Sequence, residues 1–209
     1  MVKRISGIVL IILITLFSSK AGEDTKENKT ALLIVDIQNF YFPGENRQGI
    51  AGAEQASIKA KKLLQIFREK EELVVHVRHK ASRGAEIHKN VKPLPSEKVI
   101  TKEEVNSFKN TKLLKYLNSH NINRLVIIGM QTHMCLEAAV RAGHDYGFEC
   151  VVVQDACATK DVSFNGHTVK AKDVHISTLS TLKNGGYARV VDLATIKENI
   201  EKYLVKELD

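Results

Sequence analysis

This 209-residue sequence predicts a single α/β domain, a doubly wound and mostly parallel sheet in a Rossmann-like three-layer α/β/α arrangement. Three observations carry that reading. Short apolar runs rich in β-branched residues recur along the chain, helical periodicity fills several intervals between them, and the runs are continuous rather than alternating. Continuity marks strands covered on both faces, as helices cover a parallel sheet.

The first strand is Ala31-Leu-Leu-Ile-Val-Asp36, closed by its acid, and the second is Leu73-Val-Val-His-Val77. Between them Ala56, Ala60, Leu63, Leu64 and Phe67 fall at helical spacing. Val99-Ile100 forms a short third strand that Lys102 follows, and Leu113, Leu114 and Leu117 mark the next helix. Leu125–Ile128 is the fourth strand, Ala138 to Tyr146 a helix, Val151-Val-Val-Gln-Asp155 the fifth strand and Arg189-Val-Val-Asp192 the last. Thr195-Ile-Lys-Glu198 has the form of a capping box opening a C-terminal helix. Strands alternating with helices build a parallel sheet. Residues 79–98, with Gly84, Pro93 and Pro95, read as a long excursion, and such loops in compact domains are often functional.

The amino terminus has its own pattern. Lys3 and Arg4 precede the uninterrupted apolar run from Gly7 to Phe17, which is short for a membrane span, and Ser19 and Ala21 offer small residues for cleavage. Residues 1–21 are thus expected to be a signal peptide, 22–30 a charged linker and 31–209 the folded domain, with export to the periplasm or medium; an uncleaved signal anchor is the alternative. Lys3, Arg4 and Lys20 inflate the net charge of +7, and no aromatic residues interleave a dense basic cluster, which excludes a nucleic-acid role. Cys150 and Cys157 flank a strand whose extended length of about 23 Å exceeds the ~7 Å Cα limit for a bridge. Cys135 is expected to be free.

In open α/β sheets ligands bind beyond the carboxyl ends of the strands, where strand order reverses. Polar residues at strand ends are therefore the candidates. Asp36 ends the first strand, Lys102 follows the third, and Cys135 lies just past the fourth, at the start of a helix. There the helix dipole and unpaired N–H groups favour a thiolate and an oxyanion. A carboxylate, a cation and a thiol are the parts of nucleophilic acyl transfer. Asp155 at the end of the fifth strand reads as capping or turn chemistry.

Four segments in order resemble the isochorismatase-like cysteine hydrolases, which include nicotinamidases, carbamoylsarcosine amidohydrolases and streptothricin-hydrolase-like amidases. They are Ala31-Leu-Leu-Ile-Val-Asp-Ile-Gln-Asn-Phe-Tyr-Phe42, Lys102-Glu-Glu-Val-Asn-Ser-Phe108, Gly129-Met-Gln-Thr-His-Met-Cys135 and Asp155-Ala-Cys-Ala-Thr159. The resemblance spans roughly residues 30 to 192. It implies an Asp36–Lys102–Cys135 triad that cleaves a C–N bond of a small amide through a thioester. It also implies a cis peptide at Met130–Gln131 that turns the Gln131 and Cys135 N–H groups toward an oxyanion, and a homo-oligomer.

One departure bears on metal. Nicotinamidases hold an ion through an Asp-x-His pair after the second strand, where this chain has Val77-Arg-His-Lys80 without the acid. His76, His79 and His88 are expected to be solvated rather than ligating, so no metal and no cofactor are anticipated. The block from Gly84 to Pro95, with Asp173-Val-His175, resembles the metal-free amidases, and Gln38 and Glu86 are candidates for lining the pocket. Two other readings stand beside the amidase: vinyl-ether hydrolysis, which needs the acid and lysine but no thiol, and a non-catalytic binding protein on the same fold.

Overall fold

A computed structural model of the protein describes residues 29–45 and 47–204, so the expected signal pattern lies outside the described residues. Six parallel strands form the central sheet: β1 (Lys29–Val35), β2 (Leu73–His79), β3 (Lys98–Lys102), β4 (Ile122–Met130), β5 (Glu149–Ala158) and, after the hairpin β6 (Val162–Phe164) and β7 (His167–Val169), β8 (Arg189–Val191). Their order is β3-β2-β1-β4-β5-β8, every neighbouring pair parallel. The helices are α1 (Ala53–Glu69), α2 (Leu113–Ser119), α3 (Glu137–Asp145), α4 (Ala171–Asn184), α5 (Leu193–Glu198) and α6 (Ile200–Leu204). The chain winds outward from β1 through β2 to β3, then returns to start again at β4. That reversal is the signature of a doubly wound domain.

Alternation of side chains along each buried strand divides the core into two layers. Ala31, Leu33 and Val35 pack with Leu113 and Leu117 of α2, Ala139 and Val140 of α3, and Leu179 and Leu182 of α4. Leu32 and Ile34 face the other way, onto Ala56, Ala60, Leu63, Leu64 and Phe67 of α1 and Leu193 and Ile196 of α5. Every position from Thr30 to Val35 is buried, which is why the run is apolar without a polar alternate.

Several sequence expectations shift. The linker was drawn to residue 30, but Lys29 and Thr30 already pair with β4. Asp155 does not end β5: the strand bulges and continues, so that Ile127 pairs with Val152 but Gly129 with Cys157. Cys150 and Cys157 therefore lie within the strand, and all three cysteines are free. Asp155 pairs with Lys59 at 3.0 Å and accepts the Leu193 N–H at 2.9 Å, so it caps α5, as its expected capping role implied. The capping box at Thr195 gives way to a start three residues earlier: Asp192 is the N-cap and accepts both the N–H (2.8 Å) and the hydroxyl (2.7 Å) of Thr195. An aspartate cap satisfies the donors that a threonine would have had to reach by itself.

The 79–98 excursion is tied down by Glu97. Its carboxylate takes Arg68 Nε at 2.7 Å, Arg68 Nη2 at 2.8 Å, His76 Nε2 at 3.0 Å and the Leu94 N–H at 2.8 Å. Burial works against the charge, but these donors win and draw the Glu97 pKa from 4.5 down to about 2. A depressed carboxylate stabilises the fold above its unfolded pKa and loses that contribution as pH falls through the folded value. Glu97→Gln is expected to cost about 2–3 kcal/mol at neutral pH. The gap from wild type should be complete above pH 4.5 and close as pH approaches about 2. Urea midpoints across that range test it, and a pH-independent gap would refute the charge argument.

Candidate active site

The switch in strand order falls between β1 and β4, and both strands deliver a candidate residue there: Asp36 directly after β1, and Cys135 five residues beyond β4. Lys102, the last residue of β3, comes from two strands away, yet its ammonium lies 2.8 Å from Asp36 Oδ2 and donates to Cys135 Sγ at 3.2 Å. Asp36 and Lys102 have wholly buried side chains, and Cys135 is 6% exposed. Glu104 O at 3.0 Å and His79 Nδ1 at 3.4 Å complete the surroundings of Lys102 Nζ.

Local backbone chemistry makes this convergence possible. Gly129 has φ +137°, and a Cβ there would meet the Val35 carbonyl oxygen at 1.9 Å, so only glycine lets β4 run this close to β1 just before the site. Asp36 itself adopts φ +51°, a left-handed conformation that Asp and Asn tolerate better than most residues. The Met130–Gln131 peptide is cis, at the position the family resemblance implies. A π-helical turn, Thr132–Leu136, then carries Cys135 into α3. That turn is held from two sides, by Thr132 Oγ1 against His175 Nδ1 at 2.8 Å and by a His133–Thr159 hydrogen bond.

The surroundings hold Cys135 as a thiol. Burial, followed by the Asp36 charge, pushes the Cys135 thiol up to about 12, against the pull of Lys102. Desolvation and the neighbouring carboxylate together outweigh the ammonium. Burial also raises the Asp36 carboxyl above the usual range despite the Lys102 attraction, which makes it a stronger base than an ordinary carboxylate.

The other predicted positions separate. Gln38 is fully buried, and its amide is spent on backbone: Nε2 donates to the carbonyls of His79 (2.9 Å) and Ala85 (2.7 Å), while Oε1 accepts the His79 N–H at 2.7 Å. It braces the start of the 79–98 segment. Glu86 is exposed, and its carbonyl accepts the Asn39 N–H. The histidines are not the solvated group expected. His76 lies inside β2 on Glu97, His88 stacks on Phe42 with ring centroids 3.7 Å apart, and His79 abuts Lys102. Burial lowers the pKa of His76 and His88. Sequence reasoning passed over Tyr41, in a 3-10 turn (Asn39–Tyr41), whose phenol adjoins the Gln131 carboxamide and is raised by burial and by the charges of Cys135 and Asp36. Its place five residues after the strand-ending acid was the available signal.

Fold and site together define a three-layer α/β domain with a buried carboxylate–ammonium–thiol cluster at its switch point. The chain belongs to the isochorismatase family, whose Isochorismatase domain matches residues 30–180. It is 41% identical over 172 residues to the isochorismatase family protein YddQ of Bacillus subtilis strain 168, covering 77% of this chain and 94% of that protein. A crystal structure of an isochorismatase hydrolase from Oleispira antarctica superimposes with a TM-score of 0.76 at 42% identity, covering 81% of this chain and 96% of the other. Streptothricin hydrolase of Streptomyces noursei is 30% identical over 141 residues, 63% of this chain and 50% of that protein.

Proposed function

We propose that the protein is a cysteine amidohydrolase that cleaves a C–N bond of a small molecule through a Cys135 thioester. The observation that carries this reading is the single ammonium, Lys102 Nζ, within reach of both Asp36 (2.8 Å) and Cys135 (3.2 Å). Asp36 takes the thiol proton as Sγ bonds to the carbonyl carbon, so the high thiol pKa never has to be overcome by free ionisation. The oxyanion collects at the N–H groups of Gln131 and Cys135; one such donor is typically worth about 3 kcal/mol of barrier. Collapse breaks the C–N bond, and protonated Asp36 hands its proton to the leaving nitrogen. Water, deprotonated by Asp36, then releases the acid and restores the thiol. The family's named streptothricin hydrolase supports a small-molecule substrate. The reading is metal-free, because His76, His79 and His88 are engaged with Glu97, Lys102 and Phe42 respectively.

The test is a panel of primary amides, ureides and lactams, acid-quenched early and weighed as intact protein. An acyl adduct on Cys135 supports the thioester; amide turnover without any adduct would sink it in favour of direct attack by water. The pH profile offers a second measurement. Asp36 must be ionised to act, so kcat/KM is expected to fall as pH drops through its raised pKa, with an acid limb above the ordinary 3.8. A limb at or below that value would argue against a desolvated base.

A further inference from the structure

The site is unevenly supplied with hydrogen-bonding groups. An ammonium has three hydrogens, and Lys102 Nζ already faces Asp36, Cys135, Glu104 O and His79 Nδ1, so no donor of Lys102 is left for a substrate. One acceptor is in the opposite condition. Gln131 Oε1 is buried without a hydrogen-bond partner among the described residues, and Gln131 is only 6% exposed. Leaving a buried acceptor unmatched is unfavourable, so something that donates is expected to complete it. Gln131 follows the cis bond and caps the turn that carries Cys135, so it is buried on the same short segment as the nucleophile.

We propose that Gln131 Oε1 accepts an N–H of the substrate, so that the site selects carboxamides and ureides that retain an N–H over N,N-dialkyl amides and esters of the same acid. This rests on the cysteine-amidohydrolase reading and adds the residue that reads the nitrogen. The backbone N–H of Gln131 stabilises the oxyanion whatever its side chain; the side chain decides which leaving groups fit. A site built to receive a donor rejects the analogue lacking it, because the buried acceptor is then desolvated and unpaired.

The experiment compares three derivatives of each acid in the amide panel: the primary amide, the N,N-dimethyl amide and the methyl ester. Each is assayed for kcat/KM with wild type, Gln131→Leu and Gln131→Glu, alongside intact-mass detection of the Cys135 acyl adduct. Wild type is expected to prefer the primary amide to the dimethyl amide, and Gln131→Leu to lose about tenfold or more of that preference. Gln131→Glu, which keeps an acceptor oxygen, should recover part of it. Equal use of primary and dimethyl amides by wild type overturns the proposal. That result would mean the carboxamide sits turned over, accepting from Tyr41 and presenting its NH2 to the substrate carbonyl. An unchanged preference in Gln131→Leu overturns it as well. If Cys135 takes up no acyl group from any derivative, the cysteine reading itself fails and this proposal with it; an adduct with no N–H preference fails the proposal alone.

Discussion

Cys135→Ala is expected to reduce hydrolysis about ten-thousandfold or more, to the level that binding and the oxyanion donors sustain alone. Asp36→Asn should lose roughly a thousandfold, the usual span of a general base. Neither change should unfold the domain. Cys135 occupies a turn rather than the centre of a strand, and its thiol is one atom larger than the methyl that replaces it. Asparagine suits the φ of +51° that Asp36 adopts, which is the reason to prefer it to alanine there. Turnover of an amide substrate, with thermal melts as the folding control, decides the matter. Activity of Cys135→Ala within tenfold of wild type would remove the thiol from the mechanism.

Lys102→Leu is expected to be the costliest change to stability as well as to activity. The ion pair with Asp36 is wholly buried on both sides, and removing one partner of such a pair costs about 3–5 kcal/mol because the remaining charge is left uncompensated. For a chain of this size each kcal/mol moves Tm by about 2–4 °C. Asp36 can escape by taking up a proton, and its pKa is already raised with Lys102 present. A raised acid favours the fold at low pH and loses that contribution as pH climbs past its unfolded value. The Lys102→Leu deficit should therefore shrink in mild acid and grow toward alkaline pH. The double variant Asp36→Asn with Lys102→Leu should recover much of the loss, since asparagine suits the φ of +51° and leaves no uncompensated buried charge. A deficit independent of pH, or no recovery in the double variant, would show that Lys102 stabilises through its packing rather than its charge.

The strands were legible because both of their faces are covered: from Ala31 to Val35 no position is solvent-facing, so hydrophobicity alone marked β1. α1 was legible for the complementary reason, one apolar stripe of Ala56, Ala60, Leu63, Leu64 and Phe67 against a polar remainder. α4 escaped. Its buried positions are Val174, Thr178, Leu179 and Leu182, two of them β-branched, while Ile176 is 53% exposed, so no clean stripe shows. The hairpin of β6 and β7 is three residues a side and almost wholly exposed, too short and too wet for an apolar signal. At the site, Asp36 and Cys135 could be placed because they follow adjacent strands. That Lys102 reaches them across β2 follows from sheet order, which no local pattern encodes. The raised pKa of Cys135 was hidden for a related reason. A helix terminus is visible in sequence, whereas the burial that raises the thiol is a property of the assembled layers.

That burial gives the resting sulfur a chemical quiet. Peroxides and foreign disulfides are attacked by, or attack, thiolates, and a thiol held at about 12 offers them almost none. The carboxylate that accepts the proton in turnover is also one of the charges that discourages its loss beforehand. Base and nucleophile thus act as mutual safety catches: the sulfur becomes dangerous only to a carbonyl that has already docked between them.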